Sequence, residues 1–163
     1  MNKLVGATGA DRSEVFPLDD VDRAIISELQ VDGRMSYAEL GPRVGLSQAA
    51  ARQRVNRLTE RGVMQIVAVT DPLSLGLTTQ AMVGITVVGD VRVVAAAVAD
   101  LIEAEYVLIT AGRFDVLAEV LCEDNAALLA LVNDRIRPIE GVASTEVFSI
   151  LKMEKLTFSW GTG

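Results

Sequence analysis

The chain of 163 residues has no histidine, one cysteine, one Trp, two Tyr and four Phe. Without histidine it lacks the commonest general base and the commonest transition-metal ligand. Cys122 has no partner for an intramolecular disulfide, which fits a reducing cytoplasm. Its neighbours Val120 and Leu121 mark it as a buried small hydrophobe rather than a reactive thiol. Half the residues are apolar but only 4% are aromatic, so a core must be built from Val, Leu, Ile and Ala. No apolar run exceeds the seven residues of 93–99, and a membrane span needs ~20. The start of the chain, with Lys3 and a very short apolar patch before Gly6, does not read as a secretory signal.

Charge is unevenly distributed. The net charge is −7, yet residues 1–63 carry nine Lys/Arg and nine Asp/Glu, whereas residues 64–163 carry six and thirteen. Between Arg34 and Arg61 six arginines face only Glu39 and Glu60, a local +4. Affinity for nucleic acid follows the local footprint, so the first part can approach a duplex that the acidic second part would repel.

That basic stretch, residues 35–62, reads as two short helices joined by a tight turn. Ser36 with Glu39 forms a capping box for the first helix, Gly45 permits the bend, Leu46 plugs the gap and Ser47 caps a second helix running from Gln48 to about Arg61. Gly62 suits the left-handed C-terminal position. At ~100° per residue, Ala51, Val55 and Leu58 share one side of the second helix, while Ala49, Arg52, Gln53, Asn56 and Arg57 share the other. The second side offers guanidiniums and amides for base edges and cations for phosphate, and small Ala49 allows close approach to a groove. The same pattern also fits a solvated amphipathic helix with salt-bridging arginines. In the helix-turn-helix reading the DNA-contacting set is Ser36, Ser47, Gln48, Ala49, Arg52, Gln53, Asn56 and Arg57, with Arg34, Arg43, Arg54 and Arg61 as phosphate contacts or structural pairs.

Residues 1–16 read as a mobile arm, and residues 17–64 as the helix-turn-helix domain. Its first helix is capped by Asp19, carries Asp20 and Asp22 in its first turn and has the stripe Val21, Ile25, Leu29. Residues 63–70 are β-branched and strand-like. Asp71-Pro72 and Gly76 mark a turn, so residues 65–78 read as a strand and hinge linker. Residues 79–155 then follow the order strand, helix, strand, strand, helix, strand. Strands are expected at 79–88, 106–111, 114–122 and 142–151, helices at 91–102 and 125–137, and residues 156–163 form a tail. This order is the ferredoxin-like βαββαβ unit, which makes the chain α+β. Met82, Val88, Leu117 and Leu121 are too apolar for an open sheet face, so the pattern predicts a dimer or higher oligomer.

Leu18-Asp19 with Asp22, Asp32-Gly33-Arg34, Glu39-Leu40, Gly45-Leu46-Ser47, Arg54-Val55 with Arg57-Leu58, Gly62-Val63, Asp71-Pro72 with Leu75-Gly76, Gly112 with Asp115, and Gly141-Val142 leading to Lys152 lie in order along the chain. Together they resemble the leucine-responsive/asparagine regulator (Lrp/AsnC) family of transcription factors. The resemblance implies a winged helix-turn-helix joined to an effector-sensing α/β domain. It also implies double-stranded DNA as partner, homodimers that assemble to tetramers or octamers, a cytoplasmic, nucleoid-associated location, and an amino-acid effector in place of any cofactor or metal. The implied effector-binding set is Ala111, Gly112, Arg113, Phe114 and Asp115, with Thr145 and Val147 from the last strand. Gly112 would admit a ligand to the backbone, and Asp115 either meets an α-ammonium or bonds local N–H groups. Two positions depart from the family pattern: Ala111 stands where relatives have threonine, and Thr145-Glu146-Val147 replaces Thr-x-Thr. Both remove hydroxyls, and Arg113 adds a cation.

Two other classes compete with an effector-responsive regulator. An architectural protein would wrap DNA without sensing anything. An enzyme would need a catalytic constellation, but there is no His, Cys cluster or phosphate-cradling glycine loop, and pairs such as Glu103/Glu105 and Glu123/Asp124 read as solvated surface. The sequence therefore predicts no catalytic residues.

Overall fold

A computed structural model describes residues 16–156, which leaves the arm expected at 1–16, except Phe16, and the tail at 156–163, except Leu156, outside the described residues. The chain divides into two compact units, the first ending at Ala68 and the second spanning Val69–Lys155.

The first unit contains α1 (Asp20–Val31), α2 (Tyr37–Arg43) and α3 (Gln48–Glu60). Each begins where a side chain replaces a missing helical acceptor. Asp19 and Asp22 form a reciprocal capping box on α1, Ser36 and Glu39 form another on α2, and Ser47 caps α3 through Ala50 N–H. The turn between α2 and α3 is tight: a Cβ on Gly41 would lie 2.8 Å from the Leu46 carbonyl oxygen, so only glycine fits there. Gly45 completes the bend at φ 70°. Ile25, Leu29, Leu40, Ala51, Val55 and Leu58 make the buried core, with Val21, Val44 and Leu46 packed against it.

The expected strand at 63–70 does not form. The only regular structure described in the linker is a 3₁₀ turn at Leu73–Leu75. A strand is stabilised by its ladder, and no described segment offers residues 63–70 a partner, so Ile66, Val67 and Val69 stay more than half exposed despite their β propensity.

In the second unit the expected order is found: β1 (Thr79–Val87), α4 (Val91–Ala99), β2 (Ala104–Ile109), β3 (Val116–Cys122), α5 (Asn125–Ala130) and β4 (Val142–Ser149). The antiparallel sheet runs β2-β3-β1-β4. Register sorts its two faces. Val83 pairs with Ala118 and Val147 on the helix side, and Met82 pairs with Glu119 and Phe148 on the other. On the helix side Ala81, Val83, Ile85, Val116, Ala118 and Val120 meet Val94, Val98, Leu128, Leu131 and Ile136. Cys122 belongs to this core, and burial pushes its thiol pKa up, consistent with a packing role.

Several boundaries differ from the sequence reading: β2 lies two residues earlier than the expected 106–111, β3 starts at Val116 rather than 114, and β4 ends at Ser149 rather than 151. The helix expected at 91–102 ends at Ala99, and the one expected at 125–137 gives way after Ala130 to a π turn, Leu131–Ile136, closed by Arg137 N–H on Val132 C=O at 2.9 Å. Periodicity missed the π turn because Leu131, Val132 and Ile136 face the sheet in either geometry.

The core assignment is tested by contrast within the first unit. Leu58→Ala, at a fully buried site, is expected to cost ~2–5 kcal/mol. Val31→Ala, at a site 87% exposed, is expected to change stability by less than ~0.5 kcal/mol. Urea unfolding of both variants checks this.

Candidate functional site

The DNA-facing candidates fall into one group with two exceptions. Ser47, Gln48, Ala49, Arg52, Gln53 and Asn56 line a single open concavity along the exposed side of α3. Ser47 Oγ accepts the Ala50 N–H at 3.2 Å. Arg52 is exposed and has no ion-pair partner among the described residues. Ser36 lies outside the concavity at the start of α2, where its hydroxyl and N–H both donate to Glu39 Oε2, at 2.9 and 3.3 Å.

Arg57 is the second exception. Its Nη2 donates to both carboxylate oxygens of Asp22, at 3.0 and 2.9 Å, while Arg54 Nη1 donates to Asp22 Oδ1 at 2.9 Å and also to Asp19. Asp22 is 1% exposed. Removing the partners of so deeply buried a charge costs ~3–5 kcal/mol, so these arginines are held by the fold. The Arg54 hydrogen bond, aided by the Asp22 backbone, lowers the Asp19 pKa and in turn raises that of Arg54. Arg57 and Arg61 lie over the Phe16 ring, 5.6 and 5.8 Å from its centroid. Arg43 pairs with Glu28 at 3.0 Å. Of the arginines expected as phosphate contacts or structural pairs, Arg43 and Arg54 are paired within the fold; Arg57 is held on the flank of α3, and Arg52 stands among amides on the exposed face. The sequence did carry the signal for Asp22. Positions 22, 25 and 29 lie on one helical stripe, so an acid there must be buried and demands a cation.

In the second unit the proposed effector residues separate into two groups. Ala111, Gly112 and Arg113 are exposed on the β2–β3 loop, which Thr110 closes by donating its N–H to Asp115 C=O and its hydroxyl to Phe114 C=O, at 2.9 and 2.6 Å. Asp115 takes the local-bonding alternative. Its Oδ2 accepts the Val87 N–H at 2.8 Å and its own N–H donates to Ile85 C=O at 3.0 Å, tying the loop to β1. Arg113 pairs with Glu146 at 2.6 Å and lies 5.2 Å over the Phe114 ring. Phe114 in turn sits on Gly84 and meets Phe148 edge-on, with centroids 5.8 Å apart. These groups occupy the helix-free face. Thr145 and Val147 pair with Ile85 and Val83, so they belong to the opposite face, where Thr145 Oγ1 accepts from Arg137 Nε at 2.9 Å. Gly84, Glu146, Phe148 and Arg137 were missed by the sequence reading. Strand alternation alone would have placed Glu146 and Phe148 opposite Thr145 and Val147.

A helix-turn-helix unit with a polar exposed face and a βαββαβ unit with a structured loop are the two parts of a regulator class that pairs DNA binding with ligand binding. Comparison with known proteins agrees at both parts. Residues 18–59 match the AsnC-type helix-turn-helix domain and residues 80–160 match the Lrp/AsnC ligand binding domain. The chain is 34% identical to an HTH-type transcriptional regulator of Pyrococcus abyssi over 151 residues, 91% of this chain and 93% of that one. The solved leucine response regulatory protein of Mycobacterium tuberculosis is 33% identical with a TM-score of 0.80, covering 88% of this chain and 99% of that one. A Neisseria meningitidis transcriptional regulator solved in complex with L-Met is 30% identical with a TM-score of 0.79, covering 88% and 96%. The chain belongs to the Lrp/AsnC family of transcriptional regulators, with a helix-turn-helix DNA-binding domain and a ligand-binding domain.

Two glycines of the second unit differ in how closely they are packed. A Cβ on Gly84 would lie 2.7 Å from the Phe114 ring, whereas one on Gly112 would meet nothing within 4 Å. Gly84→Ala is expected to lose ~1–3 kcal/mol by displacing the ring, and Gly112→Ala less than ~0.5 kcal/mol. Thermal unfolding of the two variants tests the difference.

Proposed function

We propose that this chain is a sequence-specific transcriptional regulator whose assembly and DNA binding respond to an amino-acid effector. The observation that carries the DNA-reading part is the exposed concavity on α3, where Gln48, Arg52, Gln53 and Asn56 present base-reading groups around small Ala49. Arg and the amides of Asn and Gln are the side chains that bond guanine and adenine edges in the major groove. Effector binding near Ala111, Gly112 and Asp115 is supported by the open space beside Gly112 and by the braced loop. The named L-Met complex and leucine response relative point to the same ligand class. Arg113 is neutralised by Glu146, so it adds no unpaired cation for the effector. Assembly as a homodimer, extended to a tetramer or octamer, is supported by the apolar groups on the helix-free face, Met82, Leu117, Leu121 and Phe148. Such an assembly would present paired α3 helices to major grooves ~34 Å apart, and an effector that shifts the packing would change which sites bind together. The proposed setting is the cytoplasm, on the nucleoid. Among the described residues no helix is long and apolar enough to cross a membrane.

A gel-shift titration compares DNA upstream of the protein's own coding region with unrelated DNA of equal length, at two salt concentrations and with each of the twenty amino acids. The expected result is that the upstream complex survives the higher salt, the unrelated one is lost, and at least one amino acid alters the upstream complex. Loss of both complexes together would instead support an architectural, purely electrostatic role.

A further inference from the structure

The exposed face of α3 explains what can touch DNA, but not what holds that face in place. The apolar side of the helix is small: Ala51, Val55 and Leu58 are its buried residues. A stripe of three apolar side chains leaves part of the resistance to rotation of the helix about its own axis to other contacts. The polar tie to α1 is one of them. Asp22, 1% exposed, receives Arg54 and Arg57 from two successive turns of α3. Its second function, in the capping box with Asp19, anchors the same carboxylate to the start of α1. Phe16 covers Arg57 from the other side.

We propose that Asp22 is a positioning residue for DNA reading: its carboxylate, clamped between Arg54 and Arg57, sets the rotation of α3 and withholds both guanidiniums from the phosphate backbone. Arg57 follows Gln53 by four residues, so it lies only ~40° further round the helix. A modest rotation, or simple release of its side chain, would bring it onto the reading face. Held by Asp22, Arg57 stays on the flank, leaving Arg52, Gln53 and Asn56 to face outward. Asp22 therefore affects specificity through two effects of known sign: it fixes which side chains meet base edges, and it limits attachment that is blind to sequence.

The sign makes the proposal separable from a purely structural role. Asp22→Asn removes a negative charge and loosens both arginines. Binding to unrelated DNA should therefore strengthen, and the slope of log K against log salt should steepen by ~1–2, at ~0.9 per added phosphate contact. The preference for the protein's upstream DNA over unrelated DNA should fall by about tenfold or more, the scale of one lost base contact. A variant that is less heat-stable but keeps the wild-type slope and preference would overturn the proposal. Arg57→Gln decides the matter if Asp22→Asn does not fold, because Arg54 still pairs with Asp22. Its preference should drop about tenfold with the slope on unrelated DNA unchanged. A slope shallower by ~0.9 would make Arg57 a phosphate contact, and an unchanged preference would remove its positioning role; either result overturns the proposal. The proposal rests on the DNA-reading function above. A wild-type protein without preference for its upstream DNA would defeat that function, while the slopes on unrelated DNA would still report whether the two arginines are sequestered.

Discussion

The first unit depends on one constraint: α3 must satisfy two incompatible solvents at once. A helix of 13 residues is marginal in water by itself, so it needs an apolar side buried against its neighbours. To read DNA it must also leave its remaining surface polar and uncovered. The chain meets both demands with a narrow buried stripe, Ala51, Val55 and Leu58, beside an ionic attachment at Asp22. A buried carboxylate is costly unless fully paired, and this one is paired three ways, by two guanidiniums and the backbone N–H of Asp19, the N-cap of its helix. The polar attachment of α3 to α1 thus converges on one side chain.

The sensor unit solves a different problem with the same economy. Its helices cover one face of the sheet, and the β2–β3 loop is held by hydrogen bonds together with the packing of Phe114. Thr110 closes the loop on itself and Asp115 ties it to β1. On the helix-free face, Gly84 gives up its side chain so that Phe114 can lie flat against the sheet and meet Phe148. A loop braced in this way can leave Ala111 and Gly112 exposed without becoming formless, a useful property where a small ligand must be recognised by backbone groups.

Much of the fold was legible in the residues because local signals and periodicity agreed. The N-cap at Asp19, the capping box at Ser36, the stripe on α3 and the alternation along β1 each specify one structure. What was not legible depended on partners distant in sequence. Residues 63–70 have strand composition but no described neighbour to pair with. The π turn after Ala130 leaves the apolar pattern unchanged and so gives no signal. In the site, Gln53 and Asn56 could be placed by helical geometry alone. The fate of Arg57 could not, because it is decided by a carboxylate 35 positions away in the chain. Thr145 and Val147 were grouped with Phe114 by resemblance, yet the pleat puts them on opposite faces.

The central claim is that the Arg52, Gln53 and Asn56 face of α3 reads base edges. Guanine-N7 methylation interference on the bound upstream fragment tests it most directly, carried out with the wild-type protein and with Arg52→Ala. The account predicts that methylation at a small number of guanines blocks wild-type binding and that Arg52→Ala becomes indifferent to at least one of them. Interference at no guanine, with phosphate ethylation blocking binding throughout the fragment, would contradict it and leave only backbone attachment.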